Sequence, residues 1–412
     1  MSYLVIFKRN KIALFAHMLL VFYVFQGFFV KTGVSAVQFV LIFLIFTGLL
    51  LSKKKNNFLR FALTYLTAGI PCLFFSVCLI PHNSYIVAPA GFIVTYLYFF
   101  LWYLFFQHHE KRFLDDYMNL FYFSIVSFGV ISGILGIYQI FYDVSIGGYA
   151  INEIYGDVDK MSSGIHQSRA TGLFGSAQNY GCFMGLAFCI AIFYRFKNKL
   201  LWYICLAVIL LGIVVSNSRS ASSCALIGLT LGVFFYNRGR HITNLKFILY
   251  ILILGAVAFI TYQVIMDFDL GKYGRLLNFN NQLARDVYAK TYMSTDITEF
   301  IIGHGFGYRN YTVNQLLGET MYHNSFNETY TSCESFFMTI WVQGGLILLI
   351  PVLILMIKIT TNSYRHNTLP IILCIIVNML FTPSLTGLSI SFICWPILLK
   401  ELNDEKTKSF AI

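Results

Sequence analysis

The sequence predicts an all-α integral membrane protein with about 12 transmembrane helices and two large outer loops. Of its 412 residues, 58% are hydrophobic and only 11% are charged, a balance far from that of soluble domains. Apolar runs of roughly 20 residues, enough to cross about 30 Å of hydrocarbon, recur along the chain. Two polar stretches, residues 142–178 and 267–333, interrupt these runs. We therefore expect one polytopic membrane domain spanning residues 1–412.

The apolar runs place the spans in order along the chain. Ten of them are predicted at residues 12–30, 34–51, 58–80, 85–106, 119–141, 179–194, 200–216, 220–236, 247–266 and 334–357. The run 370–399 is too long for one span and contains Pro383 and Gly387. It predicts two short helices, which brings the total to twelve; one tilted, kinked helix is the alternative.

The distribution of Lys and Arg predicts the orientation, because basic residues collect in cytoplasmic loops. With both termini in the cytoplasm, 20 of the 29 basic residues lie inside, and every short loop agrees. The basic pI of about 9.1 is then a sign of topology and does not indicate nucleic acid binding. This orientation puts both polar loops on the outer side.

The loop 267–333 is too long to be a passive connection. Gln282–Met293 has apolar residues at helical spacing and predicts a short amphipathic helix at the bilayer surface. Neither loop contains a C-x-x-C pair or an Asp-rich cluster, so no metal or cofactor is predicted.

Two arginines stand out at the outer boundary. Arg169 precedes the sixth span and is either a snorkelling side chain or a cation for an anionic lipid headgroup. Arg219 lies in the very short hairpin Ser216–Ser223 between two spans. Ionisable residues at such positions tend to be functional, and guanidinium suits phosphate oxygens. The alternative for Arg219 is a structural pairing with a loop carboxylate.

Three outer residues are candidate proton acceptors. His304 lies in Gly303-His304-Gly305-Phe306-Gly307, where the glycines alone favour a plain turn. His323 is a second loop histidine, and exposed loop histidines usually have no catalytic role. Glu334 begins the tenth span, where partial desolvation makes a carboxylate a plausible base. It can equally serve as a helix N-terminal acid.

Together these motifs resemble the membrane O-antigen polymerase and O-antigen ligase superfamily. Arg169-Ala-Thr-Gly-Leu-Phe-Gly with Asn179, then Asn217-Ser-Arg-Ser-Ala, then Arg285-Asp-Val-Tyr, Gly303-His-Gly-Phe-Gly and Glu334-Ser-Phe-Phe ahead of Gly344-Gly345-Leu346 carry the resemblance. It covers residues from about 165 to 350. The order of the motifs and their placement in two loops make the match specific.

The chain departs from two patterns of that superfamily. Some members have an arginine followed by ten residues and a glycine in both large loops. Here the position reached from Arg169 is Tyr180, with Gly181 one place late, and the position reached from Arg275 is Asp286. The ligase branch is associated with a loop histidine followed by ten residues and a glycine. That pattern is absent too, because the position reached from His304 is Gln315 and the position reached from His323 is Glu334. These departures favour the polymerase branch and leave the ligase as the alternative.

The resemblance implies a GT-C-like multi-pass protein of the bacterial inner membrane with periplasmic loops. It implies transfer of a glycan between undecaprenyl-pyrophosphate-linked oligosaccharides, with a chain-length regulator as a further partner. We expect Arg169, Arg219 and Arg285 to bind the pyrophosphate, because preorganised positive charge stabilises the departing anion. Glu334, or else His323 or His304, would accept the proton of the attacking sugar hydroxyl.

Two other classes of protein have similar hydropathy. A transporter or lipid-linked oligosaccharide flippase would place its binding site at the bilayer midplane, yet His17 is the main ionisable residue predicted in mid-span. A non-catalytic scaffold or chain-length regulator would make no polymer from purified components.

Overall fold

The computed structural model describes residues 7, 10–25, 35–52, 63–79, 84–142, 170–174, 177–193, 198–216, 218–237, 297–303, 305–306, 335–381 and 388–403. Over these residues the protein is helical and has no strand. The helices are α1 (Lys11–Val24), α2 (Ser35–Leu51), α3 (Leu63–Leu79), α4 (Ser84–His108), α5 (Lys111–Tyr142), α6 (Ala177–Phe193), α7 (Lys199–Ser216), α8 (Arg219–Asn237), α9 (Ile297–Ile302), α10 (Phe336–His366), α11 (Leu369–Phe381) and α12 (Leu388–Asn403). The all-α prediction is confirmed for this part of the chain.

Within the described ranges, three helices are long and apolar enough to cross a membrane, namely α5, α7 and α10. Shorter apolar helices include α1 and α6. α7 also exposes apolar side chains along its length, at Leu200, Leu201, Tyr203, Ile204, Leu210, Leu211 and Val214. Such a surface suits a lipid bilayer. The count of about 12 spans stays a prediction, and the predicted span 247–266 and the helix Gln282–Met293 lie outside the described residues.

The chain forms two compact units, the first of which contains α1, most of α5, α6, α7, α8 and most of α11. Glycines let its helices approach to backbone contact. A Cβ atom at Gly185 of α6 would lie 2.8 Å from the Cβ of Cys224 on α8. One at Gly133 of α5 would lie 2.9 Å from the backbone oxygen of Val208 on α7. Small residues at such positions are a common means of packing membrane helices.

The second unit contains α3, α4, α9, α10 and α12, and its core is aromatic. Trp395 of α12 contacts Phe99 of α4 edge-on, with ring centroids 4.8 Å apart, and also Tyr65 of α3 at 5.8 Å. All three side chains are buried. Edge-to-face pairs of this kind fix the relative angles of the helices that carry them.

Polar contacts hold α10 and α12 together at their C-terminal ends. Nδ2 of Asn362 donates to the backbone oxygen of Glu401 over 3.1 Å, and Nδ1 of His366 lies 2.9 Å from Oε2 of Glu401. The Glu401 side chain is 2% exposed. A carboxylate this buried is stable only with such partners.

Candidate functional site

The structure gives the positions of the segments next to the predicted site residues. Arg219 is the first residue of α8, and the description of this residue is limited to its backbone. The other five predicted residues, Arg169, Arg285, His304, His323 and Glu334, lie outside the described residues. The geometry below is therefore that of their described sequence neighbours.

The turn that follows Arg169 in the sequence is held by one buried glutamine of α5. Oε1 of Gln139 accepts hydrogen bonds from the backbone nitrogens of Thr171 and Gly172, each over 3.0 Å. Its Nε2 donates to Oγ1 of Thr171 over 2.9 Å. Three hydrogen bonds from a single fully buried side chain fix the start of this turn, because each would be left unmade in an apolar surrounding if the glutamine moved.

Glycine is required within the same turn. Gly172 has φ +51, and a Cβ atom there would lie 2.5 Å from the ring of Tyr180 on α6. The hydroxyl of Tyr180 donates to the backbone oxygen of Ser132 on α5 over 3.3 Å. The turn is thus packed directly against both α5 and α6, with no space for a side chain at Gly172.

The turn is also joined to the end of α7. The backbone nitrogen of Ala170, the residue after Arg169, donates to the backbone oxygen of Val215 over 3.0 Å. α7 ends at Ser216 and α8 begins at Arg219, so the connection is as short as the sequence predicts. The residue after Arg169 and the helix end before Arg219 therefore meet in the first unit, although 45 positions separate Ala170 from Val215 in the sequence.

Buried hydroxyl groups surround the beginning of α8. Oγ of Ser218 lies 3.0 Å from Oγ of Ser220, and Oγ of Ser216 donates to the backbone oxygen of Ile213 over 2.6 Å. All three serines are at most 5% exposed. A Cβ atom at Gly181 of α6 would lie 2.5 Å from the Cβ of Ser218, so α6 closes one side of this hairpin.

In the second unit, the glycines around His304 pack into a break in α10. Gly344 (φ −142) and Gly345 (φ +56, ψ −151) leave the helical conformation. Gly303 has φ +78, and a Cβ atom there would lie 2.6 Å from the nitrogen of Gly344. The nitrogen of Gly305 donates to the backbone oxygen of Gln343 over 3.0 Å.

Aromatic side chains hold this turn in place. Phe306 is fully buried, and its ring centroid lies 5.2 Å from that of Phe92 and 6.0 Å from that of Tyr96, both on α4. Nε1 of Trp341 on α10 donates to the backbone oxygen of Phe300 over 3.4 Å. Residues 297–303, 305 and 306 thus enter the helical core of the second unit, although the sequence predicts them as part of a loop. Non-helical backbone at such a place is acceptable when protein buries it.

The hydrogen bond between Gly305 and Gln343 lies well along α10, whereas the residue after Glu334 precedes that helix. Gln343, which bonds Gly305, comes eight residues after Ser335, the residue that precedes α10. At a rise of 1.5 Å per residue, about 12 Å of helix lies between them. The contact made by Gly305 and the residue that follows Glu334 therefore lie far apart along the chain of α10.

Sequence reasoning did not identify Gln139 or the helix break as parts of the site. A glutamine near the end of an otherwise apolar span and a Gly-Gly pair inside another were the available signals. Over the residues that the structure covers, no group of three or more His, Cys, Asp or Glu side chains is arranged to hold a metal ion. The chain matches no protein-family model and no curated protein.

Replacing Gln139 with leucine is expected to release the turn after Arg169. The amides of Thr171 and Gly172 lose their acceptor, and each unmade hydrogen bond costs about 1–3 kcal/mol. Hydrogen–deuterium exchange of a peptide covering the turn should then be at least about tenfold faster than in the wild type. The control is Gln38→Leu on α2, outside this network, for which we expect no change. Wild-type exchange in Gln139→Leu would show that other contacts hold the turn.

Proposed function

We propose that this chain is a glycosyltransferase that polymerises undecaprenyl-pyrophosphate-linked oligosaccharide repeat units into a surface polysaccharide. The proposed location is the bacterial inner membrane, with a multi-pass GT-C-like arrangement, both termini in the cytoplasm and the site on the periplasmic face. The motifs and their order in two outer loops support this proposal. No cofactor is required for the reaction.

One observation carries the proposal furthest. The hydrogen bond from Ala170 to Val215 joins the segment after Arg169 to the helix end before Arg219. We expect the guanidinium groups of Arg169 and Arg219 to share a site near this junction, and such a pair suits a diphosphate, which offers several oxygens to bidentate donors. Ser218 and Ser220, which flank Arg219 in the sequence, carry hydroxyl groups that are neutral donors on the same segment.

In the proposed reaction, a sugar hydroxyl of the incoming repeat unit attacks the anomeric carbon of the growing chain. The carbon–oxygen bond to undecaprenyl pyrophosphate breaks as the new glycosidic bond forms, and the diphosphate leaves with the bonding electrons. Arg169, Arg219 and Arg285 stabilise the charge that the leaving group gains. Pyrophosphate is already a stable anion, so the leaving group needs no general acid.

The hydroxyl proton goes to a base on the outer side of the membrane. Glu334 is the first candidate, and His304 and His323 are the others. Each candidate can be tested by its own substitution.

A flippase for the same lipid-linked oligosaccharide is the second candidate, and the break in α10 at Gly344 and Gly345 is the observation that favours it. Transporters commonly build their binding sites from discontinuous helices. The break here is filled by the turn at Gly303 and Gly305. A helix break occupied by the protein's own backbone gives less support to a transport path than an open one.

Deleting this protein from its cells tests the proposal through the surface glycan, resolved by repeat number. A polymerase predicts that the ladder of lengths collapses to a single repeat unit on the outer surface. A flippase predicts that repeat units stay inside, and a ligase predicts loss of all attachment to lipid A core. A scaffold is separated by purified protein with lipid-linked repeat units, which then yields no polymer.

A further inference from the structure

A polar corner lies at the break of α10, in the second unit. Gln343 is the last residue before the two non-helical glycines, and its side chain lies beside Thr95 of α4, with 3.5 Å between Oε1 and the Thr95 hydroxyl oxygen. The two residues are only 5% and 2% exposed. Cys72 of α3 completes the corner, since its thiol lies 3.7 Å from the backbone oxygen of Gly344.

The amide of Gln343 is poorly satisfied by these neighbours. A hydroxyl has one proton, and that of Thr95 is already donated to the backbone oxygen of Gly91 over 2.8 Å. The 3.5 Å contact with Gln343 is at the outer limit for a hydrogen bond. Among the described residues, nothing else bonds the amide of Gln343. The amide therefore has unused hydrogen-bonding capacity for a group that accepts from its nitrogen and donates to its oxygen.

The chemistry of the corner selects the kind of group that fits. The described side chains here, Thr95, Cys72 and Gln343, are neutral, so a phosphate would find no positive charge. A hydroxyl group both donates and accepts, and so matches both ends of an amide. A saccharide carries many such hydroxyl groups, and binding sites orient their ligands with a few placed polar groups.

We propose that Gln343 binds a hydroxyl group of the saccharide portion of the lipid-linked substrate. This inference rests on the proposed function and assigns to it a substrate contact apart from the pyrophosphate-binding arginines. Gln343 donates through Nε2 and accepts through Oε1, while its backbone oxygen holds Gly305. The residue therefore links saccharide binding to the turn that carries His304.

Kinetics with purified protein in lipid nanodiscs test the inference. The probe is the lipid-linked repeat unit extracted from cells that lack this protein. For Gln343→Leu we expect a KM about tenfold higher than that of the wild type, because the variant loses one or two neutral hydrogen bonds to the substrate. The kcat should stay within about twofold, because a contact made equally in the ground and transition states affects KM alone.

The control is Thr339→Val, one turn earlier on α10. Thr339 is also 5% exposed, and its hydroxyl is satisfied by the backbone oxygen of Ser335 over 2.8 Å. We expect Thr339→Val to have the same KM as the wild type. Gln343→Met, with an unbranched side chain, replaces the leucine variant if that variant does not fold.

The outcomes separate this inference from the proposed function. A wild-type KM in Gln343→Leu or Gln343→Met, with polymer still formed, overturns the inference and leaves the polymerase standing. If the wild type forms no polymer, equilibrium binding of the same lipid-linked unit decides. Binding weakened about tenfold by Gln343→Leu then supports the saccharide contact without polymerisation, and unchanged binding overturns it.

Discussion

Gly345→Ala is expected to produce the largest loss of stability among single substitutions at the helix break. Gly345 has φ +56 and ψ −151, a conformation essentially reserved for glycine that costs other residues about 1–3 kcal/mol. A Cβ atom there would also overlap the backbone of Ile301 and lie 2.6 Å from the nitrogen of Gly303. Backbone cannot move aside as a side chain can. We expect little folded protein in the membrane and a strongly lowered thermal unfolding temperature in detergent.

The matched control is Gly228→Ala, the same chemical change inside α8. A Cβ atom at Gly228 meets the tip of the flexible Ile192 side chain at 3.0 Å, and alanine favours a helix over glycine by up to about 1 kcal/mol. Its folded amount should be close to that of the wild type. Equal amounts of folded Gly345→Ala and Gly228→Ala would contradict the close packing of the turn in the break.

Arg219→Ala is expected to abolish chain extension while leaving the amount of membrane protein unchanged. Removing one preorganised donor from a developing anion typically lowers turnover by about 100- to 1,000-fold. The glycan ladder should collapse to a single repeat unit. Arg219→Lys keeps the charge but loses the bidentate geometry, so we expect short chains at a reduced rate.

Ser222→Ala provides the control for the arginine. Ser222 is an exposed residue in the first turn of α8, and its backbone nitrogen donates to the oxygen of Ser218, a bond that alanine retains. The control should make polymer of wild-type length. Wild-type modal lengths from Arg219→Ala would refute its assignment to the pyrophosphate.

Hydropathy predicts where several helices lie, but it underestimates the length of helices that continue into polar sequence. The prediction 200–216 agrees with α7 at Lys199–Ser216, since the apolar run there is the whole helix. The prediction 119–141 finds only part of α5, which begins at Lys111. α10 likewise continues to His366 rather than ending at residue 357. Polar residues in the turns at a helix end lower the hydropathy there, so an apolar run does not include those turns.

The long run 370–399 shows what breaker residues can predict. Two helices, α11 and α12, lie on either side of Pro383 and Gly387. Residues 382–387 themselves lie outside the described residues. The two observed helices agree with the predicted division of this run into two.

The candidate site was predictable in part. The hairpin at Arg219 follows from two apolar runs with only a few residues between them. The contact of Ala170 with Val215 does not follow from the sequence, because it depends on which helices are neighbours. The same holds for Gln139, whose partners Thr171 and Gly172 come about 30 positions later. Tertiary partners of a lone polar residue leave no pattern in one sequence.

The close packing of Gly303, which follows α9, against Gly344 and Gly345 of α10 has a consequence for the order in which the chain folds. Forty-two positions separate Gly303 from Gly345, so the turn leaves the ribosome well before the residue that completes its packing. Contacts between residues so distant in the chain form after local helices. The packing of Gly303 against Gly345 can therefore form only after this part of α10 has been synthesised.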